Sequence, residues 1–360
     1  MIIGVPKEIK NNEYRVGLTP SLVNSLCKQG HTVLVQSKAG TQIGFGNLAY
    51  QDAGAEISDS AKDIFARADM IVKVKEPQAG ECALLREDQV LFTFLHLAPD
   101  PEQTKALINS KAVCIAYETV TSAHGTLPLL APMSEVAGRM AIQAAATHLE
   151  RSRGGAGILL GGIPGVSPAE VVILGAGVVG RNALQIALGM GAQVTIMDRD
   201  LERLRKIDAL YGNRVRTLFS DAASIEAAVK NADVVIGGVL LPGGSAPKLV
   251  SHDLIRRMRP GSVVVDVAID QGGCFEGSHA TTHADPTFKV HNSLYYCVAN
   301  MPGAVPATST AALSNATLKY SLALANKGWQ KAMEDDAALA AGLNVHEGKI
   351  MYAAVAAAHG

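Results

Sequence analysis

Two Rossmann-like, doubly wound α/β domains with parallel sheets, separated by a cleft, are predicted for this chain by three observations. Its 360 residues exceed what one ordinary core organises, so two domains are expected. Hydrophobic residues make up 48% but aromatic ones only 4%, with 35 glycines, a composition that packs aliphatic side chains closely between parallel strands and covering helices. Two long blocks in which short β-branched runs alternate with polar helical stretches supply the βαβ rhythm itself.

The first block runs to about Leu130, with strands read at Ile2–Val5, Thr32–Gln36, Met70–Lys75, Gln89–Leu95 and Ala112–Tyr117. In such a sheet, ligands collect beyond the carboxyl ends of the strands. Ser134 reads as the N-cap of a long helix reaching about Glu150, with Glu135 in its first turn. The glycine-rich stretch Gly154–Val166 continues it as a connector. The second block has strands near Glu170–Leu174, Gln193–Met197, Arg216–Phe219, Asp233–Gly237, Ser262–Val267 and Tyr295–Val298. After Pro306, the residues Thr308–Lys327 read as a helix that stops at Gly328 and returns the chain to the first domain, because the short remainder cannot fold alone. The expected division is therefore 1–130 with 307–360 as a substrate domain, and 131–306 as a nucleotide-binding domain.

The formal net charge is −1, from 32 basic and 33 acidic residues, and no Lys/Arg cluster stands out. Nucleic acid and anionic membrane are therefore not expected as partners. No apolar stretch is long enough to span a bilayer, and Met1 leads directly into a strand, so a cytoplasmic protein without a signal peptide is expected. Cys27, Cys82, Cys114, Cys274 and Cys297 lack CxxC spacing and read as buried free thiols. Apart from His96, the histidines show no metal-ligand spacing and read as surface or core residues. With no GxSxG, HExxH or P-loop pattern, hydrolase and phosphotransferase readings have no support.

The strongest local signal is the apolar strand Val171–Leu174 running into Gly175-Ala176-Gly177-Val178-Val179-Gly180 and then a helix. Gly175 permits the tight turn, Gly177 lets the backbone approach a pyrophosphate, and Gly180 allows close packing beneath the helix start at Val178 and Val179. The next strand ends at Asp198, 23 positions after Gly175, where a carboxylate can accept from ribose hydroxyls. That charge repels a 2′-phosphate and favours NAD over NADP, although Arg199 could accommodate the phosphate. Later strand ends, Gly238-Val239-Leu240 and Val267-Ala268-Ile269-Asp270, are expected on the nicotinamide side of the crevice. The plainer reading is a glycine turn beside an exposed aspartate.

Four charged groups fall at strand ends: Arg15 after the first strand, Lys75 ending Met70–Lys75, His96 after Gln89–Leu95, and Asp270 after Ser262–Val267. Each also has a plainer reading. Arg15 could be a solvated loop residue, Lys75 the partner of Glu76, His96 a satisfied histidine at a sheet edge, and Asp270 a cap for Gln271-Gly272-Gly273. Their joint placement points to one ligand cleft.

At these residues the sequence resembles the alanine dehydrogenase and pyridine nucleotide transhydrogenase family over essentially its whole length. The resemblance is carried by Gly4–Glu8 with Arg15–Pro20, by Lys73–Pro77, Phe94–Ala98, Val267–Gly273 and Asn300–Pro306, and these stretches look most like the alanine dehydrogenases. It implies NAD-dependent, reversible oxidative deamination of L-alanine to pyruvate and ammonium. Arg15 and Lys75 would hold the substrate's carboxylate and carbonyl, and His96 and Asp270 would be the acid/base pair. It further implies NAD contacts from Ser134, Asp198, Arg203, Ser220 and the segment of Val298, Asn300 and Met301, and a homohexamer. Two departures stand out. Where some relatives carry a Glu and a His that bind magnesium, this chain has Ala323 and Lys327, so no metal is expected. An arginine that contacts the cofactor in some relatives is replaced by His279.

The chemistry suits these residue types. Two cations orient a carboxylate, and the water addition and ammonia loss that follow oxidation need a group titrating near neutrality, the range of histidine. Leu130, Met133 and Met301 are candidates for a small apolar wall or plain core. Three rivals remain: a soluble NAD-binding subunit of a proton-translocating transhydrogenase, a non-catalytic NAD-binding protein, and an amino-acid dehydrogenase for a larger substrate.

Overall fold

The computed structural model describes residues 1–239 and 246–359, so Leu240, read above as a cofactor contact, lies outside the described residues. The chain opens with β1 (Ile2–Val5), β2 (Thr32–Gln36), β3 (Glu56–Ser58), β4 (Met70–Val72), β5 (Val90–Thr93) and β6 (Val113–Ala116). There follow β7 (Glu170–Leu174), β8 (Gln193–Asp198), β9 (Val215–Phe219), β10 (Val234–Gly237), β11 (Val263–Asp266), β12 (Thr287–Val290) and β13 (Ser293–Tyr296). β14 (Leu343–His346) and β15 (Lys349–Ile350) come last. Two compact units result: Met1–Met133 with the segment from Val305 onward, and Ser134–Ala304.

In the first unit the strands β3-β2-β1-β4-β5-β6 are parallel, and β14 and then β15 extend the β6 edge antiparallel. In the second, β9-β8-β7-β10-β11-β13 are parallel and β12 lies antiparallel on the far edge. Each sheet thus reverses its winding beside its own first strand, between β1 and β4 and between β7 and β10. The carboxyl ends of those neighbours form the crevice of a doubly wound sheet.

Helices on both faces explain why β4, β5, β6, β10 and β11 are buried at every position and read as continuous apolar runs. Along the first sheet Val35, Val72 and Phe92 enter one core and Leu34, Ile71 and Leu91 the other. The second sheet divides likewise, Val171 and Ile173 to one side, Val172 and Leu174 to the other.

Several local expectations need correction. Ser134 is not an N-cap: the helix runs Ala131–His148, which leaves Glu135 outside the first turn. Pro132 near its start needs no hydrogen-bonded N–H, so the helix begins earlier than the serine signal suggested. Helix Pro306–Lys327 starts at Pro306 for the same reason, and Gly328, with φ 75°, ends it as read. β3, β12, β14 and β15 were not anticipated, being short and of mixed polarity. All five cysteines are free thiols, but Cys27 is only half-buried. No helix among the described residues is long and apolar enough to cross a membrane.

Candidate active site

In the second unit the glycine turn stands where β7 meets the helix Val178–Gly189. Gly175 has φ 101°, a left-handed conformation that only glycine, lacking a side chain, adopts at low cost. A Cβ at Gly180 would lie 1.7 Å from the carbonyl oxygen of Gly175, so the turn and helix close on each other here. At Gly177 a Cβ would meet nothing within 4 Å, which leaves the start of the helix open on that side. An anion bound there would face unpaired amides and the positive end of the helix dipole, so the residues present fit a dinucleotide's phosphates.

Asp198 ends β8 and braces this turn. Its Oδ2 accepts from the Ala176 N–H at 2.6 Å and its Oδ1 from the Asp200 N–H at 2.8 Å, with Arg203 Nη1 3.5 Å away. The exposed-aspartate reading is therefore overturned: the carboxylate is tied to the glycine loop and has a 12% exposed side chain. Arg199 donates Nε–H to the Ser220 carbonyl at 3.4 Å, and the Ser220 N–H donates to the Asp198 carbonyl at 3.0 Å. Val239 is half-buried just past β10. Val298 and Met301 are buried, and Asn300 between them takes a left-handed φ of 60°.

Asp270 is exposed on the 3-10 turn Val267–Gln271 that follows β11, with Ala268 and Ile269 buried beneath it. Its carboxylate makes no hydrogen bond among the described residues, so it does not cap the following turn. Two groups missed by sequence reading hold that loop. Lys248 Nζ donates to the carbonyls of Gly272 (2.6 Å), Gly273 (2.9 Å) and Phe275 (3.2 Å). The buried Asp266 accepts from the Ser278 hydroxyl at 2.6 Å and the Cys274 N–H at 3.0 Å, and burial pushes its carboxyl above the usual range. His279 stacks on Phe288 with ring centroids 3.7 Å apart.

In the first unit Arg15 is 2% exposed, which overturns the solvated-loop reading. Glu13 takes its Nε–H and Nη2–H in a fork, both at 2.6 Å, and Nη1 meets Met133 Sδ at 3.2 Å. Such a two-point grip fixes the guanidinium plane. Lys75 does lie beside Glu76, 3.5 Å away, as the plainer reading had it, and Lys10 also engages that carboxylate. His96 follows β5 in a left-handed conformation, φ 52°, which a non-glycine residue adopts only when held. Glu118, just past β6, does the holding. It accepts the His96 N–H at 2.6 Å and the Leu95 N–H at 3.2 Å, and its Oε1 lies 3.9 Å from His96 Nδ1. The imidazole stacks on Phe94 and stays 44% exposed, not packed away at an edge. Glu13 and Glu118 were visible only as acids beside a basic group or a strand end. Leu130 and Met133 belong to the first unit's core.

Family models described as "Alanine dehydrogenase/PNT, N-terminal domain" and "Alanine dehydrogenase/PNT, C-terminal domain" match residues 4–137 and 141–353. The chain belongs to the alanine dehydrogenase/PNT family. It is 57% identical over 360 residues to a protein named alanine dehydrogenase from Halomonas elongata, covering 100% of this chain and 97% of that one. An alanine dehydrogenase from Bacillus subtilis is 54% identical over 357 residues, covering 99% and 94%. Among solved structures, an L-alanine dehydrogenase superposes with a TM-score of 0.96 at 53% identity, over 99% of both chains. A transhydrogenase from Sinorhizobium meliloti superposes with a TM-score of 0.83 at 25% identity, over 98% of this chain and 100% of that one.

For this alanine dehydrogenase/PNT chain, sequence-family and spatial boundaries differ. The C-terminal family domain includes helix Pro306–Lys327 and β14, which belong to the first unit. Among the described residues no group of three or more His, Cys, Asp or Glu is placed to hold a metal ion. Lys327 instead pairs with Asp335 at 2.7 Å.

Proposed function

We propose that this chain is an NAD-dependent L-alanine dehydrogenase, interconverting L-alanine with pyruvate and ammonium. The observation that carries the reading is that Arg15, Lys75 and His96 lie in the segments that follow β1, β4 and β5 of one sheet, in a chain 57% identical over its full length to a named alanine dehydrogenase. The first unit serves as the substrate domain and the second as the nucleotide domain, whose glycine turn and Asp198 suit NAD. NAD, when bound, takes up the hydride that leaves the substrate's Cα.

The protein's own groups do the rest. The Glu13 fork orients Arg15, and Arg15 with Lys75 receives the substrate carboxylate and the oxygen or nitrogen on Cα. The His96 imidazole, turned outward by Glu118, moves protons as water adds and ammonia leaves, and Asp270 orients the water. Ser134, Val178, Val179, Arg203, Ser220, Val239, Val267, Ala268, Ile269, Val298, Asn300 and Met301 complete the nucleotide contacts in this reading. The enzyme is a cytoplasmic homohexamer needing no metal, membrane or nucleic acid. The test is an initial-rate assay of NADH oxidation with ammonium and a panel of 2-oxo acids. Turnover greatest with pyruvate and dependent on ammonium supports the reading. Hydride exchange between nucleotides alone, indifferent to pyruvate, would instead favour the transhydrogenase-subunit rival.

A further inference from the structure

We infer that Glu8 is a positioning residue for Lys75, and that the buried Lys73 and Glu81 hold Glu8 to that task. The inference rests on Lys75 as a substrate-binding group. Lys73 follows β4 directly, and its ammonium lies 3.0 Å from Glu8 Oε2 and 2.7 Å from Glu81 Oε1. Their side chains are 0%, 2% and 5% exposed, so Lys73 cannot itself meet a ligand.

Three charges in the interior are tolerated only when their oxygens and protons are engaged. Here the remaining oxygens go to the backbone on either side of Lys75. Glu8 Oε1 accepts from the Val74 N–H at 2.7 Å and from the Lys75 N–H at 3.2 Å. Glu81 Oε2 accepts from the Gln78 N–H at 2.9 Å, closing the same segment from its far end. Two consecutive amides therefore hang on one oxygen that leaves from the end of β1, and this sets where Lys75 departs from the end of β4. Apolar packing alone would hold the segment in place without directing its N–H groups, because burial is not directional. The cluster stands at the sheet's reversal point, where such direction bears on a ligand.

Glu8→Ala should raise KM for pyruvate about 10-fold, the scale of a displaced binding group, and leave KM for NADH unchanged. The triple substitution Glu8→Gln/Lys73→Met/Glu81→Gln removes every buried charge of the cluster but keeps an amide oxygen for Val74 and Lys75. It should return KM to within about 3-fold of the parent, since a buried ion network replaced whole by isosteres is close to neutral. Acylation of Lys75 by acetic anhydride, followed by peptide mass spectrometry on the full chain, reads its placement without any turnover. That rate should rise in Glu8→Ala and stay at the parent value in the triple variant.

If Glu8→Ala lowers only the thermal midpoint, with pyruvate KM and Lys75 acylation unchanged, Glu8 is merely structural and the inference fails. If the parent does not turn over pyruvate but acylation still follows Glu8, the substrate reading fails and the positioning stands. Should Glu8→Ala not fold, Glu8→Leu/Lys73→Met/Glu81→Gln, which has no buried charge and no acceptor at position 8, carries the same comparison against the triple with Gln at position 8.

Discussion

The two sheets share one order of their six parallel strands, yet they equip their reversal points differently. In the second unit the end of the first strand is bare backbone: Gly175 turns in a conformation foreign to side chains, Gly180 packs against it, and Asp198 braces the loop from the next strand. In the first unit the corresponding place is crowded with charge, Glu8 past β1 and Lys73 and Lys75 past β4. The same crevice can thus be adapted either to receive an anion on amides or to present cations to one. Presenting cations demands an interior set of counter-charges that a glycine turn does not need.

Removing a counter-charge should break the first arrangement most severely. Lys73→Met strands Glu8 and Glu81 in the interior and should lower the unfolding free energy by about 3–5 kcal/mol in urea titrations. Burial pulls the Lys73 ammonium downward, but attraction to the two carboxylates outweighs it and leaves its pKa raised. Its contribution is therefore complete at neutral pH and lost only as pH climbs through that raised value. Burial already raises the Glu8 carboxyl, and in the variant its protonation relieves the unpaired charge, so the deficit should shrink from pH 8 to pH 5. An equal deficit at both would show that charge is not what the first unit stores there. The second arrangement should fail sterically, not electrostatically. Gly180→Ala puts a methyl group 1.7 Å from a backbone oxygen and should lower stability by about 1–3 kcal/mol at any pH. Passed on to the turn, that distortion corresponds to roughly 10- to 100-fold weaker NADH binding by fluorescence titration.

The glycine arrangement was readable in the sequence and the charged one was only half readable. A turn made of backbone leaves its mark in consecutive residues, and Val171–Gly180 showed strand, turn and helix at once. The strands leading to Lys75, His96 and Asp270 followed from apolar runs, but β4 stops at Val72 and β5 at Thr93, so Lys75 and His96 lie in the segments beyond the strands and do not end them. What those groups touch was not legible. Lys73 meets Glu8 from 65 positions away, and Glu118 meets His96 from 22 positions away, and no local period reports such pairs. A solvated loop therefore stayed open as the plainer reading of Arg15, although Glu13 two positions earlier clasps it in the interior. Ser134 misled for a different reason: a good capping residue lost to a proline that suits an earlier start. β12 and β15 lie at antiparallel edges, where pairing on one side suffices and the apolar signal is weak.

A third experiment asks whether a long-range acid in the first unit acts through geometry. Glu118→Gln keeps one oxygen for the His96 N–H but loses the charge beside Nδ1 and one of the Leu95 contacts. Hydrogen bonds to charged groups contribute about 1.5–3 kcal/mol, so kcat/KM for pyruvate should fall about 10-fold. NADH affinity should hold, because the glycine turn belongs to the other unit. A loss confined to NADH binding would undo the division of labour between the sheets.

The smallest effect is expected where the second unit does bury a charge. Asp266 braces the Asp270 loop through Ser278 and Cys274, and burial, outweighing those hydrogen bonds, leaves its carboxyl raised. A raised carboxyl stabilises the fold most below its unfolded pKa, and that contribution fades as pH rises through the folded value. Asp266→Asn removes the titration but keeps an acceptor for the Cys274 N–H, and the Ser278 hydroxyl can turn to accept from the new amide. The difference between variant and parent should thus shift in the variant's favour from pH 4 to pH 7, by on the order of 1 kcal/mol, the scale of exchanging one hydrogen bond. A shift of the opposite sign in pH-resolved thermal unfolding would mean that the Asp266 charge, like that of Lys73 in the first unit, is needed by the fold, and the contrast between the two reversal points would narrow.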